Sequence, residues 1–180
     1  MNILIIILAV LAALIAVLLV VALFVKKEYS VECKIFISQP KAKVFDYIKS
    51  LRNQDNFSKW ATMDPNMKKE YRGTDGTVGF VSAWESDNKN VGKGEQEITG
   101  IAEGQRIDFN IHFIKPFEGR AKAYMTTESK GENQTLVKWG ISSSMKYPMN
   151  IMLLFMNMEK MIGNDLDTGL SNLKNKLEKV

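Results

Sequence analysis

The last stretch of the chain, Asn150 to Glu178, limits what everything before it can fold into. Ile151, Phe155, Met158, Ile162, Leu166, Leu170, Leu173 and Leu177 recur every three or four residues, the period of one helical face. Met152, Met156 and Met161 widen that stripe toward its start, while Lys160, Asn164, Asp167, Asn172, Lys174, Asn175 and Lys176 occupy the other side. With Pro148 as breaker and Asn150 as N-cap, the pattern predicts one long amphipathic helix. An apolar face this wide needs a sheet to cover it.

The opposite end is a different material. Ile3 to Val25 is an uninterrupted apolar run that as a helix would span about 34 Å, enough for a bilayer. No Lys or Arg precedes it, it is too long for the apolar core of a signal peptide, and bulky Leu23, Phe24 and Val25 stand where a small-residue cleavage site would be. These features predict an uncleaved single-pass membrane anchor through residues 3–25. Lys26 and Lys27 follow at once, and the bias of basic residues toward the inner side predicts that the C-terminal part lies in the cytoplasm. The expected division is an anchor with a short basic spacer over residues 1–28 and a single domain over residues 29–180.

Every charged residue lies at or after Lys26, with 24 Lys plus Arg against 20 Asp plus Glu. So mixed a balance, without an arginine cluster or a basic aromatic stripe, argues against nucleic acid as a partner. The lone Cys33 excludes an intrachain disulfide, fits a reducing compartment and reads as a small core residue.

Between the two ends, Val31, Cys33, Ile35 and Ile37 alternate with polar residues as a strand from Tyr29 to Ile37. A helix after Pro40 carries Val44, Phe45, Ile48 and Leu51 on one side. A second short helix through Asp55 to Phe57 ends near Trp60, and Lys68 to Tyr71 is a short edge strand. Five strands follow: Val78 to Glu85, Val91 to Ala102, Arg106 to Phe113, Gly119 to Lys130 and Gln134 to Met145. Turn residues at hairpin spacing join them into an antiparallel meander. Phe80, Ser82 and Trp84 share the inward face with Ile107, Phe109, Ile111 and Phe113, with Ala121, Ala123 and Met125, and with Val137, Trp139, Ile141 and Met145. The other face is mostly polar and meets water.

A strand, two short helices, an antiparallel run and a long last helix make an α+β domain with a curved sheet wrapped around that helix. The order and spacing of SQPKAKVFDYI, LRNQDNFSKW followed by MDP, GTVGFVSAW, GKGEQEITG, IHFIKPFEGRA, TLVKWGISSSMKYPMN and IGNDLDTGLSNLK resemble the helix-grip fold of the START-like, or SRPBCC, superfamily. Within it, the likeness is to the polyketide cyclase/dehydrase and lipid transport group. The resemblance covers about Tyr29 to the C-terminus and leaves out the apolar leader.

What it implies is an elongated apolar cavity between sheet and last helix that takes a lipid or another hydrophobic small molecule. The residues expected to bind the ligand are Trp60, Phe80, Ser82, Trp84, Gln96, Phe109 and Phe113, with Met125, Trp139, Ser143, Met152, Phe155 and Met156. Methionine is flexible and polarizable, so a wall of it re-packs around differently shaped ligands. For any one of these side chains, ordinary core packing is the competing reading, each burial stabilising the fold by roughly 1.5–3 kcal/mol.

An enzyme would need an acid, base or nucleophile inside the cavity. The single histidine, His112, is in antiphase with its strand's apolar face, as are Glu85, Glu95 and Glu97. Asp165 is the one acid of the last helix that could point inward. One histidine and one cysteine at unrelated positions make no metal set, no cofactor is implied, and GKGEQ lacks the spacing and the strand-to-helix setting of a phosphate loop. The expectation is therefore a membrane-anchored binding protein rather than an enzyme. A cyclase- or dehydratase-like enzyme and a stress-related protein-interaction module remain the alternatives, and no protein partner is named.

Overall fold

A computed structural model describes residues 2–179. Helix α1 (Ile3–Phe24) is followed by strand β1 (Glu28–Ile37), helix α2 (Lys41–Lys49), a 3-10 segment (Leu51–Asn56) and the short helix α3 (Lys59–Thr62). Then come β2 (Lys68–Arg72), β3 (Val81–Glu85), β4 (Lys93–Ala102), β5 (Arg106–Lys115), β6 (Gly119–Ser129), β7 (Thr135–Ser144), a second 3-10 segment (Met149–Leu154) and helix α4 (Met158–Glu178). The strands form one antiparallel sheet in the order β1-β7-β6-β5-β4-β3-β2. β3 to β7 are thus the expected five-stranded meander, β2 is the expected edge strand beside β3, and β1 adds to the free side of β7, with Cys33 opposite Trp139 and Glu28 opposite Ser144.

The alternation sorts the strands as expected. Ile107, Phe109 and Ile111 of β5, Ala121, Ala123 and Met125 of β6, and Val137, Trp139 and Ile141 of β7 are buried. Leu166, Leu170, Leu173 and Leu177 of α4 complete that core with Phe45, Ile48 and Phe57. Helix α4 is tied to β1 and the turn after it: Cys33 Sγ donates to the Gly163 carbonyl at 3.4 Å, Gln39 Nε2 to the Leu177 carbonyl at 2.9 Å, and Lys174 Nζ to the Phe36 carbonyl at 3.0 Å. Cys33 is half-buried at this seam rather than a core residue.

Glycine lets α4 come this close. A Cβ on Gly169 would sit 2.7 Å from Cζ3 of Trp139, whereas one on Gly163 would meet nothing nearer than Val31 Cγ2 at 3.4 Å. Gly169 is therefore the seat of the Trp139 indole.

The single helix expected from Asn150 is two elements. The chain breaks after Leu154, and Asn157 starts α4, its side chain accepting from the Lys160 N–H at 2.9 Å. Glu159 in the first turn complements the helix dipole. Asn150 caps nothing of its own. Its Nδ2 donates to the carbonyls of Ala22 at 2.7 Å and Val25 at 3.0 Å, the last turn of α1 and the residue after it. These carbonyls have no partner within the helix. The Met145 N–H adds a bond to the Lys27 carbonyl at 2.8 Å, and Lys26 pairs with Glu159 at 3.1 Å. The rest of α1 stands clear: it is long and apolar enough to cross a membrane, and Ala22 is its one buried residue.

Candidate functional site

Between the inner face of the sheet and the short helices lies a cavity of about 310 Å³. Ile111, Ala123 and Ile141 line it from the sheet, Leu51 and Ile162 from the helical side, and Phe113, Pro116 and Phe117 from the β5–β6 hairpin, where Phe117 is largely exposed. The chain has three tryptophans. All of them, Trp60, Trp84 and Trp139, line this one cavity. Trp60 meets Trp139 edge to face at 6.3 Å, Phe57 supports Trp139 from behind at 5.7 Å, and Trp84 meets Phe113 at 6.4 Å. The Trp84 Nε1 donates to the Val91 carbonyl at 3.2 Å, which satisfies its polar atom and leaves its ring face to the cavity. Small residues keep the space open. A Cβ on Gly94 would lie 2.6 Å from both the Trp84 ring and the His112 carbonyl oxygen, so glycine there lets the indole and β5 come close to β4.

The wall also has polar members. Ser82 and Gln96, expected from the alternation, line it, and so do Gln54, Asp55, Ser58 and Lys69. The Asp55 carboxylate accepts from both Lys69 Nζ and the Tyr71 hydroxyl. Burial, followed by the adjacent Asp55 carboxylate, pushes the Tyr71 hydroxyl up to about 12, so it stays a donor. Gln54 is only 7% exposed, and its Nε2 has no hydrogen-bond partner among the described residues. A buried amide donor left free costs stability unless something accepts from it. The cavity thus offers aromatic walls, polar side chains that include Asn90 and Lys115, and a neutralised ion pair around a space large enough for a small organic molecule.

Six of the residues expected at the ligand, Trp60, Ser82, Trp84, Gln96, Phe113 and Trp139, come together here. Phe80, Phe109 and Met125 lie instead in the solid core. Ser143 donates its hydroxyl to the Arg120 carbonyl at 2.8 Å, outside the cavity wall. Phe155 and Met156 are elsewhere, gathered with Lys26 and Tyr29 near the end of α1, and Met152 lies in the 3-10 segment Met149–Leu154, also outside the cavity lining. They were expected at the cavity because one unbroken helix would have carried them along the sheet; the break before Asn157 turns them away.

None of His112, Asp165, Glu85, Glu95 and Glu97 lines the cavity. His112 Nε2 lies 3.5 Å from Glu118, Glu85 pairs with Lys93, Glu95 with Arg72, and Asp165 with Lys59. A larger depression, about 780 Å³, is lined by Glu95, Glu97, His112, Arg120 and Lys122 on the outer side of the sheet. It is open to water, and charged side chains make up much of its lining. Among the described residues, no three of His, Cys, Asp or Glu gather to hold a metal ion.

Gln54, Asp55, Ser58 and Lys69 were not anticipated. Lys69 had a signal: in β2 it alternates with Lys68 and Glu70 in phase with half-buried Tyr71, which places it on the inner face. Of the other three, Gln54 and Asp55 sit on the short 3-10 segment Leu51–Asn56 and Ser58 is the N-cap of α3, where neither the strand nor the α-helical period applies.

At the sequence level no family model and no curated protein matches the chain. Solved structures do resemble it. Norcoclaurine synthase from Thalictrum flavum, in complex with dopamine and hydroxybenzaldehyde, superposes with a TM-score of 0.60 at 11% identity, covering 83% of this chain and 86% of that one. Ginseng major latex-like protein 151 from Panax ginseng gives 0.58 at 18% identity over 84% and 99% of the two chains. A subunit of the Aha1 dimer from Colwellia psychrerythraea gives 0.56 at 14% identity over 83% and 96%. At these identities the likeness is one of fold.

Proposed function

We propose that this chain, which has the START-like helix-grip fold, is a membrane-anchored binding protein that holds a compact hydrophobic molecule with a hydrogen-bonding group. The observation that carries the reading is the tryptophan-lined cavity with Gln54, Ser58 and the Asp55–Lys69 pair in its wall. At about 310 Å³ it is at the small end of ligand cavities, which run from roughly 300 to 1,000 Å³. A ring system or a short chain fits better than a two-tailed lipid. The norcoclaurine synthase structure holds two such small aromatic compounds on the same fold.

The strand register supports delivery from a bilayer. β1 begins just after α1, and its first residue, Glu28, pairs with the end of β7 at Ser144. Carried across the antiparallel sheet, the same edge holds the start of β6, the β5–β6 hairpin and the start of β4. That hairpin is the cavity mouth, and Phe117 at its tip is 75% exposed. With α1 as the anchor and Lys26 and Lys27 at the cytoplasmic surface, the mouth opens toward the inner leaflet.

The test is extraction of the full-length protein, purified in mild detergent, followed by mass spectrometry. A stoichiometric small hydrophobic compound is expected. Empty protein both as purified and after soaking in lipid and aromatic panels would overturn the reading.

A second reading, acid–base catalysis, is favoured by one observation, the Asp55–Lys69 pair at the wall. Lys69→Met separates the two. A binding protein keeps its bound compound, with altered affinity, whereas an enzyme accumulates unconverted substrate in the extract.

A further inference from the structure

Nothing above accounts for the apolar side chains between β7 and α4. Phe155 is 78% exposed, Leu154 58% and Met149 49%, and Met161 in the first turns of α4 is half exposed as well. A folded protein does not normally leave four large apolar side chains clustered in water. The cluster has a fixed position relative to α1, because Asn150, within the same 3-10 segment, holds the carbonyls of Ala22 and Val25.

That bond sets a depth. Ala22 is two residues, about 3 Å of rise, inside the end of α1 at Phe24, and a helix of this length spans about 33 Å against a hydrocarbon layer of about 30 Å. A segment whose side chain reaches the Ala22 carbonyl lies level with the last turn of α1, where the hydrocarbon gives way to headgroups. The charges around it suit that level: exposed Lys26, Lys27, Lys146 and Lys160 flank the segment, against Glu28 and Glu159.

We propose that the segment Met149–Leu154 with Phe155 is a second membrane contact, a reentrant interfacial foot that sinks Leu154 and Phe155 into the acyl boundary of an anionic leaflet beside α1. The inference rests on the anchoring of α1 proposed above. A single helix leaves a domain free to swivel, but a helix and a rigid foot bonded to its end fix the tilt of the domain, and with it the direction of the cavity mouth. The foot is held by Asn150 and by its packing on α1, so it needs no folding on arrival.

The experiment uses the full chain in vesicles of phosphatidylcholine and phosphatidylglycerol. In a Cys33→Ser background, nitroxide labels are placed through Leu154→Cys and Phe155→Cys, with Val17→Cys inside α1 and Glu132→Cys in the far β6–β7 turn as references. Labels at 154 and 155 are expected to collide with oxygen several-fold more than with a water-soluble nickel chelate, as at 17 and opposite to 132. Nickel access at 154 and 155 equal to that at 132, with 17 still in hydrocarbon, would overturn the foot and leave the anchor. Protection from both reagents would assign the patch to a second copy or another protein and also overturn it. Nickel access at 17 would remove the anchor reading together with the foot.

Discussion

Asn150, between β7 and α4, reaches across 128 positions of sequence to bond the Ala22 carbonyl at 2.7 Å, and it is completely buried in doing so. The side chain does for α1 what a local C-cap would, giving helix-end carbonyls that are shielded from water a donor. Helix and domain are thereby one body at this point rather than two pieces joined by a loose spacer.

Asn150→Leu keeps the bulk and removes both bonds. Leaving buried carbonyls without a donor costs roughly 1–3 kcal/mol, and here the loss is expected in the docking of the foot rather than in the core. In reconstituted protein, cleavage after Lys26 and Lys27 by trypsin should accelerate while the thermal midpoint of the domain moves little. Unchanged cleavage would mean that the bonds do not hold the junction.

The two glycines of α4 should respond in opposite ways. Gly169→Ala drives a methyl group to within 2.7 Å of the Trp139 ring, and overpacking of this kind costs about 1–3 kcal/mol. Gly163→Ala meets nothing closer than 3.4 Å and gains helix propensity worth up to about 1 kcal/mol. Urea unfolding of the pair reads the difference directly, and equal destabilisation would remove the seating of Trp139 on Gly169.

Cys33 gives a pH signature. Burial, reinforced by Asp167, raises its thiol from 9.0 to about 11. Because the folded value lies above the unfolded one, the associated stability is complete below pH 9 and is lost as pH rises through about 11. As the only cysteine, it can be followed by iodoacetamide alkylation. The pH midpoint should fall near 11 in folded protein and near 9 in urea, and a folded midpoint at 9 would contradict the burial at the α4–β1 seam.

Much of this was legible in the residues, and the misses share a cause. Period-two alternation correctly placed Phe80, Ser82 and Trp84 on the inner face of the sheet, and the run of Leu166, Leu170, Leu173 and Leu177 correctly marked the helix that covers it. Periodicity reports which face a residue shares, not where an element stops. Asn150 and Asn157 are both able caps, and what assigns the cap to Asn157 is the demand on Asn150 from a helix at the other end of the chain. Trp84 and Trp139 could be named from the alternation of their strands and Trp60 from the end of its short helix, but the meeting of Asp55 with Lys69, 14 residues on, has no such local signal.

The central claim is that the three tryptophans surround a space a ligand can enter, and their emission measures it directly. Titration of full-length protein in detergent with a panel of compact ring compounds and fatty acids should give saturable, one-to-one quenching or a spectral shift for the compact members. Ala123→Leu, at a position that lines the cavity from the sheet, should abolish the response while the circular dichroism stays unchanged. No saturable change with any compound, or an identical response in Ala123→Leu, would contradict the account.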